Sequence, residues 1–290
     1  MLIVFNPTAG RRRVRRLWRV LDIMAHTGVR LEIEETRRPG HAASLASAAV
    51  AAGHSLVVAA GGDGTIAEVA NGLAGSGCRL GVIPLGTANV LARELGLPFD
   101  PRAVAAALAF GRTIPVWPGM IHHDGEVASR LFVQMVGAGF DAQVVHGLDP
   151  MLKRALGRTA YVLQGLRETA RYRFRPIQVR IDGAETEAAS VIVTKGHLYA
   201  GDYCLAPGAS PTRPGFAVAL FDRAGPYSAM MYGAALPLNL IHRMPGFRLL
   251  QAHVVSILSD RVPAQADGDA AGLGPMRLTD APGPMQVVVA

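Results

Sequence analysis

One arrangement repeats through the first hundred residues and restricts the fold more than any other feature of the chain. An apolar run ends in a turn of small residues, and a helical pattern follows. Leu2–Phe5 leads through Asn6-Pro7-Thr8-Ala9-Gly10 into a segment carrying Leu17, Val20, Leu21 and Met24 at helical spacing. Val29–Glu35 alternates like a strand, and an alanine-rich helix is predicted over His41–Ala52. Ser55–Ala60 runs into Gly61-Gly62-Asp63-Gly64, where Thr65 is expected to cap a helix reaching Leu73. Leu80–Pro84 is the next strand, turned by Gly86-Thr87 into a helix from Ala88 to Leu95. Strands alternating with helices predict a parallel α/β sheet, in which ligand-binding loops gather at the carboxyl ends of the strands.

The pattern changes near Thr113, after one more alanine-rich helix over Pro101–Phe110. Short strands then dominate. Three Asp-Gly pairs, Asp124-Gly125, Asp182-Gly183 and Asp267-Gly268, stand between strand-like runs. This dipeptide favours two-residue hairpin turns. One helix is predicted from about Met151 to Tyr172. The expected organisation is therefore α/β: a parallel-sheet nucleotide-binding domain over residues 1–112, then a mostly antiparallel β-sandwich over 113–290, with a cleft between them as the default ligand site.

Composition sets limits. Half of the 290 residues are hydrophobic and 18% are charged, so the chain packs a core and is not disordered. The net charge of +7 comes almost entirely from arginine, densest at Arg11, Arg12, Arg13, Arg15, Arg16 and Arg19. Such a cluster suits a nucleic-acid patch or a solvated helix face, and no zinc-finger or RNP motif accompanies it, so no nucleic-acid partner is expected. Cys78 and Cys204 have no metal-ligand spacing and make no disulfide framework, which fits a reducing, cytoplasmic setting. The start of the chain reads as a strand rather than a signal peptide. No run of about 18 apolar residues occurs; the nearest, Ala229–Ile241, is short and interrupted by Pro237 and Asn239.

The chemistry concentrates in Gly61-Gly62-Asp63-Gly64-Thr65. Glycines let the backbone approach an anion closely and adopt positive φ, and the following helix offers free N–H groups and the positive end of its dipole. Asp63 could hold a magnesium ion or orient the loop, and Thr65 could also touch phosphate. The loop lacks the Gly-Lys-Ser/Thr ending of a P-loop and the alternating glycines of the dinucleotide fingerprint. Asn6–Gly10 and Gly86-Thr87-Ala88-Asn89 follow two other strands of the same sheet. Together the three loops have the layout of a nucleotide site.

Taken together, Asn6-Pro7-Thr8-Ala9-Gly10, then Gly61–Thr65 with Glu68 and Asn71, then Pro84–Asn89 with Ala92-Arg93, resemble the diacylglycerol kinase catalytic domain. That family includes bacterial soluble lipid kinases and the sphingosine and ceramide kinases, and its fold is related to that of NAD kinases. Further stretches are similar: Gly137–Ala142, Gly157–Val162 within Lys153–Leu166, Gly201 with Leu205-Ala206-Pro207, and Asp267-Gly268-Asp269. The resemblance implies ATP contacts from Asn6, Pro7, Thr8, Ala9, Gly10, Thr36, Gly61, Gly62, Asp63, Gly64, Thr65, the next-turn residues Ile66 and Ala67, and Thr87. It implies magnesium with the ATP, and catalysis by Asp267 and Asp269 at the γ-phosphate and the substrate hydroxyl. It also implies an amphipathic lipid substrate met at a membrane surface by a cytoplasmic, peripherally associated enzyme; a homo-oligomer is compatible with it.

Two departures from the family pattern stand out. Asp269 replaces the usual glutamate and is one methylene shorter. Arg213-Pro214-Gly215 stands where the family has an aspartate before the glycine that helps bind a structural magnesium ion, so no metal ligand is assigned. His197 and Asp202 are candidates for a cleft lining or for structural roles, and Asp141 reads as a structural turn residue. Two other functions stay open at this point: an NAD kinase, which shares the Gly-Gly-Asp-Gly-Thr loop, and a nucleotide-binding regulatory protein with weakened catalysis.

Overall fold

The computed structural model describes residues 1–8, 14–123, 129–147, 164–165, 167–169 and 171–290. The chain divides into two compact units, Met1–Pro118 with Pro282–Ala290, and Gly119–Ala281.

The first unit follows the predicted alternation: β1 (Leu2–Phe5), α1 (Val14–His26), β2 (Glu32–Glu35), α2 (His41–Ala51), β3 (Leu56–Gly61), α3 (Asp63–Gly72), β4 (Arg79–Pro84), α4 (Val90–Glu94), α5 (Pro101–Phe110) and β5 (Arg112–Val116). β1 pairs in parallel with β2 and β3, and β3 with β4. The α1 stripe read from the sequence is the buried one: Leu17, Val20, Leu21 and Met24 pack with Ile3, Phe5, Val58 and Ile83. Asp100 caps α5 by accepting the Arg102 and Ala103 N–H groups, with Pro101 at the first helical position. β2 is shorter than predicted and exposed at all four residues, as suits its place at the sheet edge.

The second unit is built of antiparallel strands. It contains β6 (Gly119–His123), β7 (Arg130–Phe132), β8 (Met135–Gly139), α6 (Phe140–His146), β9 (Ile177–Ile181), β10 (Ala184–Ala188), β11 (Ser190–Thr194), β12 (Leu198–Tyr199), β13 (Tyr203–Cys204), β14 (Phe216–Phe221), α7 (Pro226–Ala235), β15 (Phe247–Ala252), β16 (Val255–Ile257), β17 (Pro263–Ala266), β18 (Asp269–Leu273) and β19 (Met276–Asp280). Two six-stranded sheets form, ordered β10-β9-β16-β19-β6-β7 and β15-β14-β11-β8-β17-β18. Alternation decides which side chains turn inward: Ile177, Val179 and Ile181 from β9 meet Val191 and Val193 from β11 and Phe216, Val218 and Leu220 from β14 in one core. Side chains of both sheets share that core, so the unit is a sandwich, as predicted.

Two Asp-Gly pairs make the turns expected of them. Asp182-Gly183 joins β9 to β10 and Asp267-Gly268 joins β17 to β18, all four residues at positive φ, as a type I′ turn requires. Asp124-Gly125 lies outside the described residues. So does most of the helix predicted over Met151–Tyr172, of which residues 164–165 and 167–169 are helical.

The linear division at residue 112 misses one element. β20 (Met285–Val289) returns to the first unit and inserts between β4 and β5, parallel to β4 and antiparallel to β5. Its Val287, Val288 and Val289 are buried, the composition of an interior strand covered on both faces.

Candidate functional site

In the first unit the loops after β1, β3 and β4 are tied to one another. The Asn6 amide donates to Thr65 Oγ1 at 3.0 Å, while its Oδ1 accepts the N–H and the hydroxyl of Thr8. The Asn6 N–H bonds to Ala60 O, and the Thr36 N–H to Phe5 O at 2.8 Å. Ala9 and Gly10 lie outside the described residues.

The glycines of the Gly61–Thr65 loop work differently from the expectation. None of Gly61, Gly62 and Gly64 is at positive φ. Gly61 and Gly62 are required because neighbours come close. A Cβ on Gly61 would lie 2.4 Å from Thr65 Oγ1. A Cβ on Gly62 would meet Gly86 Cα at 3.1 Å, and one on Gly86 would meet Gly62 Cα at 2.5 Å. Two backbones thus touch with no side chain between them. Gly86 is pinned further by Asn89, whose Oδ1 accepts the Gly86 N–H at 2.7 Å and whose Nδ2 donates to Gly86 O at 2.8 Å. Asn89 itself holds φ 48°, in the left-handed region that asparagine tolerates.

The helix cap also differs. Gly62, not Thr65, is the N-cap of α3, with extended backbone and no side-chain cap bond. Thr65 is buried in the first turn and serves Asn6 instead. The N–H groups of that first turn have no intrahelical acceptor, as at any helix start. Asp63 Oδ1 accepts the Val90 N–H at 2.6 Å, which ties α3 to the start of α4. Burial pushes this carboxyl up from its ordinary range, opposed by backbone N–H groups of Val90, Leu91 and Asn89. This bond orients the loop. Ile66 and Ala67 are buried, so their side chains serve the core, whereas Thr87 is exposed. Glu68 accepts the Ala42 N–H at 3.0 Å and so secures the start of α2.

In the second unit Asp267 and Asp269 flank Gly268 but have opposite surroundings. Asp267 is buried; its Oδ2 accepts the Val133 N–H at 2.8 Å, and its Oδ1 accepts those of Gln134 at 2.8 Å and Met135 at 3.0 Å. Burial pushes its carboxyl up to about 6, against these three N–H groups and Arg130. Asp269 is exposed at the start of β18.

Sequence reasoning missed the polar network beneath this turn. Gln265 accepts the Gly268 N–H at 2.9 Å and donates to Asp141 Oδ2 at 2.8 Å, and the Tyr199 hydroxyl donates to Asp141 Oδ1. Asp141 is indeed buried and bonded, but to partners far away in sequence. Next to Asp267, the buried Gln134 side chain finds no partner for either amide atom among the described residues.

Lys195 carries no local sequence motif either. Its buried ammonium donates to Gly215 O at 2.8 Å and to Asp280, lies 4.6 Å from the Phe216 ring centroid, and is shifted downward by burial. Asp280 also accepts the Gly215 N–H at 2.6 Å. A structural magnesium ion at Arg213-Pro214-Gly215 does not fit these residues, because Pro214 brings no carboxylate and the Gly215 carbonyl already faces a fixed cation. Among the described residues no group of three or more His, Cys, Asp or Glu side chains could hold a metal ion. His197 and Asp202 each interact with a neighbour.

A parallel α/β unit with a glycine-built loop at its strand ends, followed by an antiparallel sandwich, is the two-part arrangement that two family models match. The diacylglycerol kinase catalytic domain matches residues 1–121. The YegS C-terminal NAD kinase beta sandwich-like domain matches residues 134–289. The chain belongs to this diacylglycerol kinase and YegS-like lipid kinase family. It is 33% identical over 216 residues to the diacylglycerol kinase of Bacillus subtilis (strain 168), covering 72% of this chain and 69% of that one. It is 37% identical over 169 residues to the "Probable lipid kinase YegS-like" of Pseudomonas aeruginosa PAO1, covering 57% of this chain and 52% of the relative. The chain thus spans about half the length of that relative. A crystal structure of a diacylglycerol kinase from Bacillus anthracis str. Sterne superposes with TM-score 0.72 at 19% identity, covering 100% of this chain and 96% of that one; the likeness is one of fold.

Proposed function

We propose that this protein is an ATP-dependent lipid kinase that transfers the γ-phosphate to a hydroxyl of diacylglycerol or a related lipid. The observation that carries the reading is the bare-backbone contact of Gly62 with Gly86 beside the first turn of α3. That contact holds in place the backbone at the start of α3, where the free N–H groups of a helix's first turn suit phosphate oxygens.

In this reading ATP is held by Asn6–Gly10, Thr36, Gly61–Thr65, the backbone of the turn through Ile66 and Ala67, and Thr87. Magnesium entering with ATP would neutralise phosphate charge. Asp63 braces the cradle. The two carboxylates of the Asp267 turn divide the work. Asp267, with both oxygens engaged, positions the turn; Asp269, exposed, accepts the proton of the acceptor hydroxyl. The enzyme would work in the cytoplasm, visiting membranes for its substrate, with no nucleic-acid partner; self-association fits equally well.

The test is transfer of label from γ-labelled ATP to a total lipid extract, with NAD offered in parallel. A labelled lipid identified by mass spectrometry supports the proposal. Label on NAD moves the function to an NAD kinase, and ATP binding without transfer to either makes the protein a nucleotide-binding regulator.

A further inference from the structure

The described residues of the second unit carry one surface that packing inside the fold does not explain. Helix α7 has no charged residue, and only Tyr232 and Ala235 among its ten are buried. Tyr227 is 75% exposed, Met230 54% and Met231 40%; just beyond the helix Leu238 is 67% exposed. The mount beneath is firm. The Tyr232 hydroxyl donates to Pro245 O at 2.9 Å, its ring stands edge-on to Phe221 at 5.1 Å, and Ile241 is buried beside it. The outward side chains are therefore held in place as a face, and an apolar face of this kind marks an interaction site.

The charges around the face select its partner. Arg223 and Arg243 are exposed at its two ends. Asp222, the adjacent acidic residue, is engaged by Arg248 through bonds of 2.8 and 2.7 Å. From Arg223 to Ser259 the sequence has no aspartate or glutamate. A second copy of the chain would bring arginines against arginines with no carboxylate in this stretch to pair them. An anionic bilayer offers what the face lacks, an acyl region for methionine, leucine and the tyrosine ring, and negative headgroups for the arginines.

We propose that α7 and the turn after it, residues 226–243, form a docking surface for anionic phospholipid bilayers, entered by Tyr227, Met230 and Leu238 and rimmed by Arg223 and Arg243. It deepens the lipid-kinase reading, and rests on it only for the purpose docking would serve. The contact itself needs neither ATP nor an acceptor lipid.

The test is co-sedimentation of the full chain with phosphatidylcholine vesicles containing phosphatidylglycerol, and with phosphatidylcholine vesicles alone, in the absence of nucleotide. Met230→Ser with Leu238→Ser should lower the partition coefficient on the anionic vesicles about tenfold or more. Arg223→Gln with Arg243→Gln should weaken the same binding and flatten its salt dependence. All four positions are exposed, so thermal unfolding should match the parent. Absence of binding by the parent, or equal binding by the Ser variant, overturns the proposal. So does a parent that fails to bind vesicles but sediments as a dimer lost in the Ser variant, which assigns the face to a second copy. Because the readout is binding, a failure here leaves the phosphotransfer assay standing, and the reverse holds.

Discussion

Asp182-Gly183 and Asp267-Gly268 are the same turn used for different ends. Both close hairpins with two residues at positive φ. In both, the aspartate N–H reaches a neighbouring segment, to Val254 O just before β16 at 3.0 Å and to Met135 O in β8 at 3.0 Å. In both, the carboxylate accepts N–H groups from that same segment: His253 and Val254 for Asp182, Val133, Gln134 and Met135 for Asp267. Asp182 does this in the open, and Ala184 follows its turn. Asp267 does it buried, above the Gln265–Asp141–Tyr199 network, and Asp269 follows. A side-chain-to-backbone clamp that is only a turn stabiliser at the surface becomes, when buried, a rigid platform that presents an exposed carboxylate.

The largest expected effect lies in that presented group. Asp269→Asn should lower kcat by about 10²–10⁴-fold, the usual contribution of a general base, with ATP affinity and stability unchanged. Asp269→Glu should keep or raise activity by extending the reach. A parent-like kcat in Asp269→Asn would reduce the second turn to a copy of the first.

The platform comes next. Asp267→Ala leaves three buried N–H groups without an acceptor. At roughly 1–3 kcal/mol for each orphaned group, the variant should lose at least about 3 kcal/mol in denaturant unfolding. Asp182→Ala exposes its N–H groups to water and should cost about 1 kcal/mol or less.

Titration sharpens the contrast. Asp267 binds its proton more tightly folded, at about 6, than at the unfolded value of 3.8. The stabilisation from this protonation is fully present below 3.8 and disappears as pH rises through about 6. Stability of the parent relative to Asp267→Asn should therefore fall by roughly 2 kcal/mol as pH goes from about 4 to about 7. A flat difference across that window would show the carboxylate charged throughout.

The smallest effect separates the two turns by chemistry alone. Asn-Gly serves a type I′ turn as well as Asp-Gly, so Asp182→Asn should shift stability by no more than about 0.5 kcal/mol. Asp267→Asn cannot be so mild at any pH. The oxygen that accepts from Val133 and the oxygen that accepts from Gln134 and Met135 cannot both remain acceptors once one becomes an amide NH₂.

What the sequence disclosed and what it hid follow a physical division. Local patterns were legible: the Leu17, Val20, Leu21, Met24 stripe, the alternation in β9, the two turns, and the glycine loop at the end of β3. Each depends on residues close together in the chain. The return of β20 was hidden, because a run of valines fits an interior strand of either unit and period alone names no partner. The reason for the loop glycines was hidden too; Gly62 needs no unusual φ, and the obstacle is Gly86, in another loop. Lys195 with Asp280, and Tyr199 with Asp141, are pairings between distant positions that leave no local motif.

Whether the Gly61–Thr65 loop feeds phosphate from ATP to a lipid is read by following label from γ-labelled ATP into the organic phase of a lipid mixture, for the parent and for Gly62→Val. The parent should yield a labelled lipid. Gly62→Val should yield none, because its Cβ alone would already stand 3.1 Å from Gly86 Cα, and calorimetry should show ATP binding lost as well. Equal labelling by the two proteins, or label reaching NAD and never lipid, would contradict that role of the loop.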